Sequence, residues 1–298
     1  MVWRSADHTL YKRTGDASVC AEADYQVVLA SLGYPVPTIT DRGKVGETCF
    51  FIEQAAGQSL HDQAIATADE HGDVPEGIIH AAANISIRLL AAQSRNPLPG
   101  SPETLREWFG HAAFAANVFD ENPDLDTPSV HAAIEDALGR LQDVPLCRSH
   151  MDYGLPNAFP GAVIDWQHHG DAPLGYDVYP MLDIAAFKGG GRGYRFSDAQ
   201  RADYIAQLDE ASVRLIGQRL SSCQGEFLLV KCFFFLAVMR PTAPGCDDKH
   251  IKWQYRRTLF DMGLKQYESS RSIHTEKFPT LAEFSRKNGQ TFNGRPGS

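Results

Sequence analysis

Cysteine is sparse and unclustered. Six residues (Cys20, Cys49, Cys147, Cys223, Cys232 and Cys246) are spread over 298 positions, with no C-x-x-C and no clustered histidine partners. A thiolate zinc site and a dense disulfide frame are therefore unsupported, and the plainer reading is reduced thiols in a cytoplasmic protein. Long apolar runs are missing too. The strongest, FLLVKCFFFLAVM (Phe227–Met239), falls short of the roughly 20 residues a bilayer requires and is interrupted by Lys231. It reads as a buried helix, and no membrane span is expected. The start, MVWRSADHTL, has no apolar stretch behind a basic flank, so no secretory leader is expected.

Positive charge is also in short supply. The formal net charge is -9, against the basic footprint of a nucleic-acid binder. The deficit is concentrated: from Glu53 to Asp136 there are fourteen Asp or Glu against three Arg and no Lys. Most such residues form solvated helix faces, but a one-signed surface also concentrates a cationic ligand. Internal repeats and low-complexity linkers are absent.

What is present falls into two textures. At the start, MVW and TLYKR read as paired strands, followed by a helix over SVCAEADYQVVLASLGY with Val27, Val28, Leu29 and Leu32 as its apolar positions and Gly33 as its stop. PVPTIT and ETCFFIEQAAG read as two more strands, joined by a turn at DRGKVG. From Ser59 onward the pattern is helical, over PEGIIHAAANISIRLLAAQ, SPETLREWFGHAAFAANVF, SVHAAIEDALGRLQ, SDAQRADYIAQLDEASVRLIGQRL, Glu226–Met239 and HIKWQYRRTLFDMGLKQY. The expected architecture is α+β with two lobes: a small antiparallel sheet with one helix over 1–55, and a large helical lobe over 56–298. A cleft between lobes is a usual place for a ligand.

The stretch SHMDYGLPNAFPGAVIDW (Ser149–Trp166) carries the chemistry. NAF, a Pro160-Gly161 turn and AVID read as a tight hairpin, which brings Asn157 and Asp165 to the same end. An amide oxygen beside a carboxylate is a hard-oxygen pair suited to Mg²⁺. Asp152, just upstream, is placed to accept a proton from an attacking hydroxyl. The spacing H-x-D-x-x-x-x-N, from His150 through Asp152 to Asn157, has the form of a kinase catalytic loop. Such a site also needs a strand lysine held by a helix glutamate. Lys12 and Glu22 occupy that order, with Arg13 and Asp24 as competitors.

On these residues, and on VIDWQHHGDAPLGYD after them, the chain resembles the aminoglycoside phosphotransferase (antibiotic kinase) family, with the protein-kinase-like fold shared by choline kinases. The resemblance runs from about Val2 to about Tyr179 and more loosely through the C-terminal helices. It implies Asp152 as the catalytic base, Asn157 and Asp165 as metal ligands, and His150 and Asp177 as braces of the loop. It also implies Lys12 and Glu22 as the phosphate-binding lysine and its partner, with Glu53, Gln54 and Ala55 lying along the adenine. ATP (or GTP) and Mg²⁺ are the implied cofactors. The implied substrate is a cationic small molecule, an aminoglycoside-like antibiotic first, with antibiotic resistance as the associated role; a metabolic kinase of choline, an amino alcohol or a sugar, and a non-catalytic nucleotide-binding protein, are the alternatives. Two departures stand out: only eleven residues precede Lys12, so the family's first strand and nucleotide-covering loop are not expected in this sequence, and Met151 replaces the usual glycine after the loop histidine. No A-P-E-like segment follows Asp165, against a protein kinase. KGGGRG (Lys188–Gly193) does not fit a phosphate-binding P-loop and reads as a surface loop. His168 and His169 are read as loop residues rather than metal ligands.

Overall fold

The computed structural model describes residues 1–71, 74–100, 118–184, 194–238 and 247–288. The KGGGRG loop, Cys246, most of the helix read over 101–119 and the end of the polar tail lie outside the described residues.

The first lobe is a four-stranded antiparallel sheet of order β1-β2-β4-β3: β1 (Val2–Arg4), β2 (Leu10–Gly15), β3 (Ile39–Val45) and β4 (Thr48–Gln54). The β3–β4 turn falls at Val45–Thr48 around Gly46, whose φ of 60° suits glycine, and not at DRGKVG, most of which is strand. Between β2 and β3 lies α1 (Ala17–Ser31), opened by Asp16, whose carboxylate accepts from the Ser18 amide at 2.9 Å. Gly33, at φ 78°, closes it. The buried face of α1 is Val19, Glu22, Ala23, Gln26 and Leu29, an i, i+3, i+4 stripe. Val27 and Val28, expected inside, are 40% and 46% exposed, because two polar residues take the inward positions. α1 lies on the sheet face carrying Cys49 and Phe51, and those two with Val19 and Ala23 form a core of their own.

That small core carries a covalent staple. Cys20 of α1 and Cys49 of β4 are joined in a disulfide across a separation of 29 residues. The expectation of reduced thiols throughout is corrected here, because the fold brings α1 against β4, an adjacency that spacing along the chain does not reveal. A closure of this length stabilises by about 3–4 kcal/mol on the chain-entropy account.

The remainder is helical: α2 (Leu60–His71), α3 (Glu76–Arg95), α4 (Pro128–Arg140), α5 (Asp198–Ile216), α6 (Gln224–Val238), α7 (Asp247–Ser270) and α8 (Leu281–Lys287). Capping boxes start α5 at Ser197 and Gln200 and α8 at Thr280 and Glu283. α6 is the expected buried helix, with Phe227–Val230 and Cys232–Leu236 packed inside. Lys231 is buried with them, its ammonium 4.8 Å from the centre of the Tyr176 ring. α3 packs on α5, and α6 packs between α4 and α7. A two-stranded ribbon, β5 (Leu146–Ser149) with β6 (Gly170–Pro173), frames the segment between them. Among the described residues, no helix is long and apolar enough to cross a membrane.

Candidate active site

β5 runs directly into His150, whose ring is fully buried against Trp166. Its Nε2 lies 2.7 Å from the Ile164 carbonyl, which can only accept, so Nε2 carries the proton. Burial holds the imidazole below its ordinary pKa, and it serves as a neutral strut. The buried Asp177 carboxylate accepts from the backbone amides of His150 at 2.8 Å and Met151 at 3.1 Å, and from Gln93 Nε2 of α3 at 2.9 Å. Three donors on one carboxylate fix the backbone just ahead of Asp152. Met151 there adopts φ 67°, the left-handed region that favours glycine.

Asn157 Nδ2 donates to the Asp152 carbonyl at 3.0 Å, which leaves the oxygen end of the amide as its ligand-capable atom. The hairpin expected over 157–165 is reduced to a single bridge, Ala158 with Val163, flanked by hydrogen bonds from Phe159 to Ala162 and from Ile164 to Asn157. This still places Asp165 one residue from the strand partner of Asn157. Asp165 also takes the left-handed conformation, φ 66°. The loop is further held by α2, missed in the sequence: the amides of Leu60 and His61 donate to the carbonyls of Ala158 and Leu155.

The sheet side of the site differs from the expected pairing. Lys12 and Glu22 do not meet. On β2, Arg13 stands opposite Phe51, on the α1 face, whereas Lys12 stands opposite Ile52 with its ammonium over Phe50. Arg13 Nη1 donates to Glu22 Oε1 at 2.8 Å and to Asp165 Oδ1 at 3.0 Å, and Nη2 to Gln167 Oε1 at 3.0 Å. One guanidinium thus links the sheet, α1 and the loop. Burial drives the Glu22 carboxyl up to about 7, outweighing the attraction of Arg13; Asp165 and Glu53 push the same way as burial. Glu53 is likewise raised by burial, although Gln26 Nε2 donates to it at 2.8 Å. On the stretch read as lying along the adenine, the Gln54 and Ala55 amides donate to the carbonyls of Thr38 and Thr9.

No protein-family model matches the sequence, and no curated protein matches it. Solved structures do. An ethanolamine kinase from Plasmodium vivax aligns at a TM-score of 0.54 and 10% identity, covering 90% of this chain and 83% of that one. The fold is protein-kinase-like. An aminoglycoside phosphotransferase from Streptomyces rimosus, in complex with ADP and streptomycin, aligns at a TM-score of 0.49 and 19% identity, over 76% of this chain and 87% of that one. An aminoglycoside 3′-phosphotransferase of type VIII aligns at 0.47 and 16%, over 80% and 91%.

The protein-kinase-like frame also holds a cation that the sequence reading passed over. Arg256 on α7 donates to the Phe235 carbonyl at 3.1 Å and lies over the Phe235 ring. Burial lowers its proton affinity, and the Asp152 carboxylate opposes that loss. The signal was the Arg pair in HIKWQYRRTLF, read only as helix. His169, by contrast, stacks on Tyr25 of α1 at 3.6 Å, and among the described residues no three His, Cys, Asp or Glu converge as a metal cluster. A divalent ion here would take Asn157 and Asp165 and complete its shell with water and phosphate oxygens. That donor set fits Mg²⁺.

Proposed function

We propose that the chain is an ATP- and Mg²⁺-dependent O-phosphotransferase acting on a hydroxyl of a small molecule. The supporting observation is the convergence of Asp152, Asn157 and Asp165 with the Arg13–Glu22 pair. In this reading residues 1–55 form the nucleotide-binding lobe and 56–298 carry the loop and the acceptor. The Asp152 carboxylate takes the acceptor proton as the hydroxyl oxygen bonds to the γ-phosphorus and the bond to ADP breaks. Asn157 and Asp165 would hold Mg²⁺, which offsets phosphate charge when bound. Arg13, anchored by Glu22, supplies a forked guanidinium to the phosphates; Lys12, on the other face of β2, is assigned no such contact. His150 and Asp177 keep the loop in register. The chemistry is positioning and electrostatics. GTP is an alternative donor for the same groups.

The acidic span favours a cationic acceptor, of the aminoglycoside kind or a simpler amino alcohol such as choline. Arg256, a half-buried cation within electrostatic range of Asp152, favours a second reading, an acceptor that carries an anionic group. Acceptor-dependent ADP release, measured over aminoglycosides, amino alcohols, sugars and carboxylated or phosphorylated alcohols, separates them. Asp152→Ala is expected to lower turnover by about 10²–10⁴-fold with nucleotide binding retained. Near-normal turnover in that variant sinks the assignment. ATP binding with no transfer to any acceptor would favour a non-catalytic nucleotide-binding protein.

A further inference from the structure

The Cys20–Cys49 bridge lies two residues along α1 from Glu22, and its two halves are unequally buried. Cys20 is half-buried and lines a cavity of about 230 Å³ together with Ala23, Asp24, Arg42, Gly43 and Phe50. Cys49 is only 3% exposed, inside the small core. The cavity thus borders Cys20, the less buried half of the bridge. The Arg42 guanidinium, 42% exposed and paired with Asp24, lines the same cavity. The other described cysteines are unlike this pair. Cys147 and Cys232 are buried thiols whose burial pushes their pKa up, in Cys232 to about 12, and Cys223 is raised as well.

We propose that this bridge is a site of reversible thiol–disulfide exchange with low-molecular-weight thiols of the glutathione class, and that its reduction weakens nucleotide binding by releasing α1 from the sheet. The exchange balances in two steps. A thiolate attacks the Cys20 sulfur, forming a mixed disulfide as the bond to Cys49 breaks, and the Cys49 thiolate takes up a proton. A second thiol then attacks the small-molecule sulfur of the mixed disulfide and frees Cys20 as a thiol, giving two protein thiols and one oxidised small disulfide. The Gly43 carbonyl, 3.7 Å from the Cys20 sulfur, stands ready to accept from the thiol so formed.

The consequence follows from what else holds α1. On the loop side, Tyr25 stacks on His169 and lies near Trp166. On the sheet side, beyond the bridge, there are the four-residue core with Cys20 and Ile39 packed at its edge, the ion pairs of Glu22 with Arg13 and of Asp24 with Arg42, and the hydrogen bond from Gln26 to Glu53. Without the bridge, α1 keeps its loop contacts and loses its covalent hold on the sheet that carries Arg13. The nucleotide part of this proposal rests on the phosphotransferase reading; the release of α1 does not.

The test uses the full-length wild-type chain equilibrated in glutathione buffers of graded redox poise. Alkylation and peptide mapping are expected to show Cys20 and Cys49 becoming labelled together as the buffer becomes more reducing. Hydrogen exchange over residues 17–31 is expected to accelerate by about tenfold, and the ADP dissociation constant to rise by about tenfold, corresponding to a competent arrangement populated about one time in ten. The Cys20→Ser, Cys49→Ser double variant should match the reduced protein whatever the buffer, and Cys223→Ser should match the wild type. If the serine variant fails to fold, the reduced wild type gives the same comparison. Labelling of both cysteines in air-oxidised protein, or equal exchange of α1 in both forms, overturns the proposal. So does equal, measurable ADP affinity in both. If neither form binds ADP while α1 still loosens on reduction, the nucleotide reading falls and the redox release of α1 stands.

Discussion

The two halves of the candidate site are held by different kinds of force. The loop from His150 to Asn157 is fixed by short hydrogen bonds to buried groups: Asp177 on two consecutive amides, His150 on Ile164, Asn157 on the Asp152 carbonyl. The nucleotide half is fixed by a half-exposed guanidinium, a carboxylate that burial has moved toward neutrality, and one disulfide beside a core of four buried residues. Buried hydrogen bonds give rigidity at high cost if broken. Partly solvated ion pairs are individually weaker and rearrange more readily around a ligand. One side is set for precision and the other for exchange.

The largest effect expected from breaking this contrast is at Asp177. Asp177→Ala leaves two buried amides without acceptors, and urea denaturation should register a loss of about 3–5 kcal/mol. A loss under 1 kcal/mol would mean the loop is held elsewhere. Glu22 comes next. Its folded pKa of about 7 lies above the ordinary glutamate value of 4.5, so the native state binds the proton more tightly than the unfolded chain. The stability it contributes is full below about pH 4.5 and falls as pH rises through 7. In metal-free protein, Glu22→Gln should remove a decline on the order of 2–3 kcal/mol across that window. An unchanged pH profile would contradict the burial argument.

Smaller effects sharpen the comparison within β2. Arg13→Ala should raise the nucleotide dissociation constant about tenfold while Lys12→Ala leaves it within about twofold; the reverse order would return the role to the lysine. Least of all, Met151→Gly trades relief of left-handed strain against the loss of a side chain buried in the core, and thermal melting should show a net destabilisation of about 1–2 kcal/mol, with turnover measured alongside.

The loop was legible because its chemistry is local: a stretch of eight residues places His150, Asp152 and Asn157 whatever the rest of the chain does. The choice between Lys12 and Arg13 was not, because adjacent strand residues face opposite ways and either could point to α1. Both candidates are cations, and β4 offers Phe50, Phe51 and Ile52 in a row, so no alternation marks the inner face. The disulfide was hidden for a related reason: pairing Cys20 with Cys49 requires knowing that a helix lies across the last-formed strand. α2 escaped because LHDQAIATADEH has little apolar content, although Ser59 and Asp62 exchange hydrogen bonds at its start. Its first amides hold the loop, and its short apolar face, Leu60 and Ala64 with Ile65 and Ala68, packs into the large core.

An arginine where a kinase-like site is expected to carry a lysine has a practical consequence for discovery chemistry. Acyl-phosphate nucleotide probes mark kinases by transferring an acyl group to an amine beside the phosphates, and a guanidinium that stays protonated does not accept it. On the proposed reading, amine-directed profiling of an extract would pass over this chain at Arg13, and dicarbonyl reagents selective for guanidinium groups would report it. Chains with the same exchange would be undercounted in the same way.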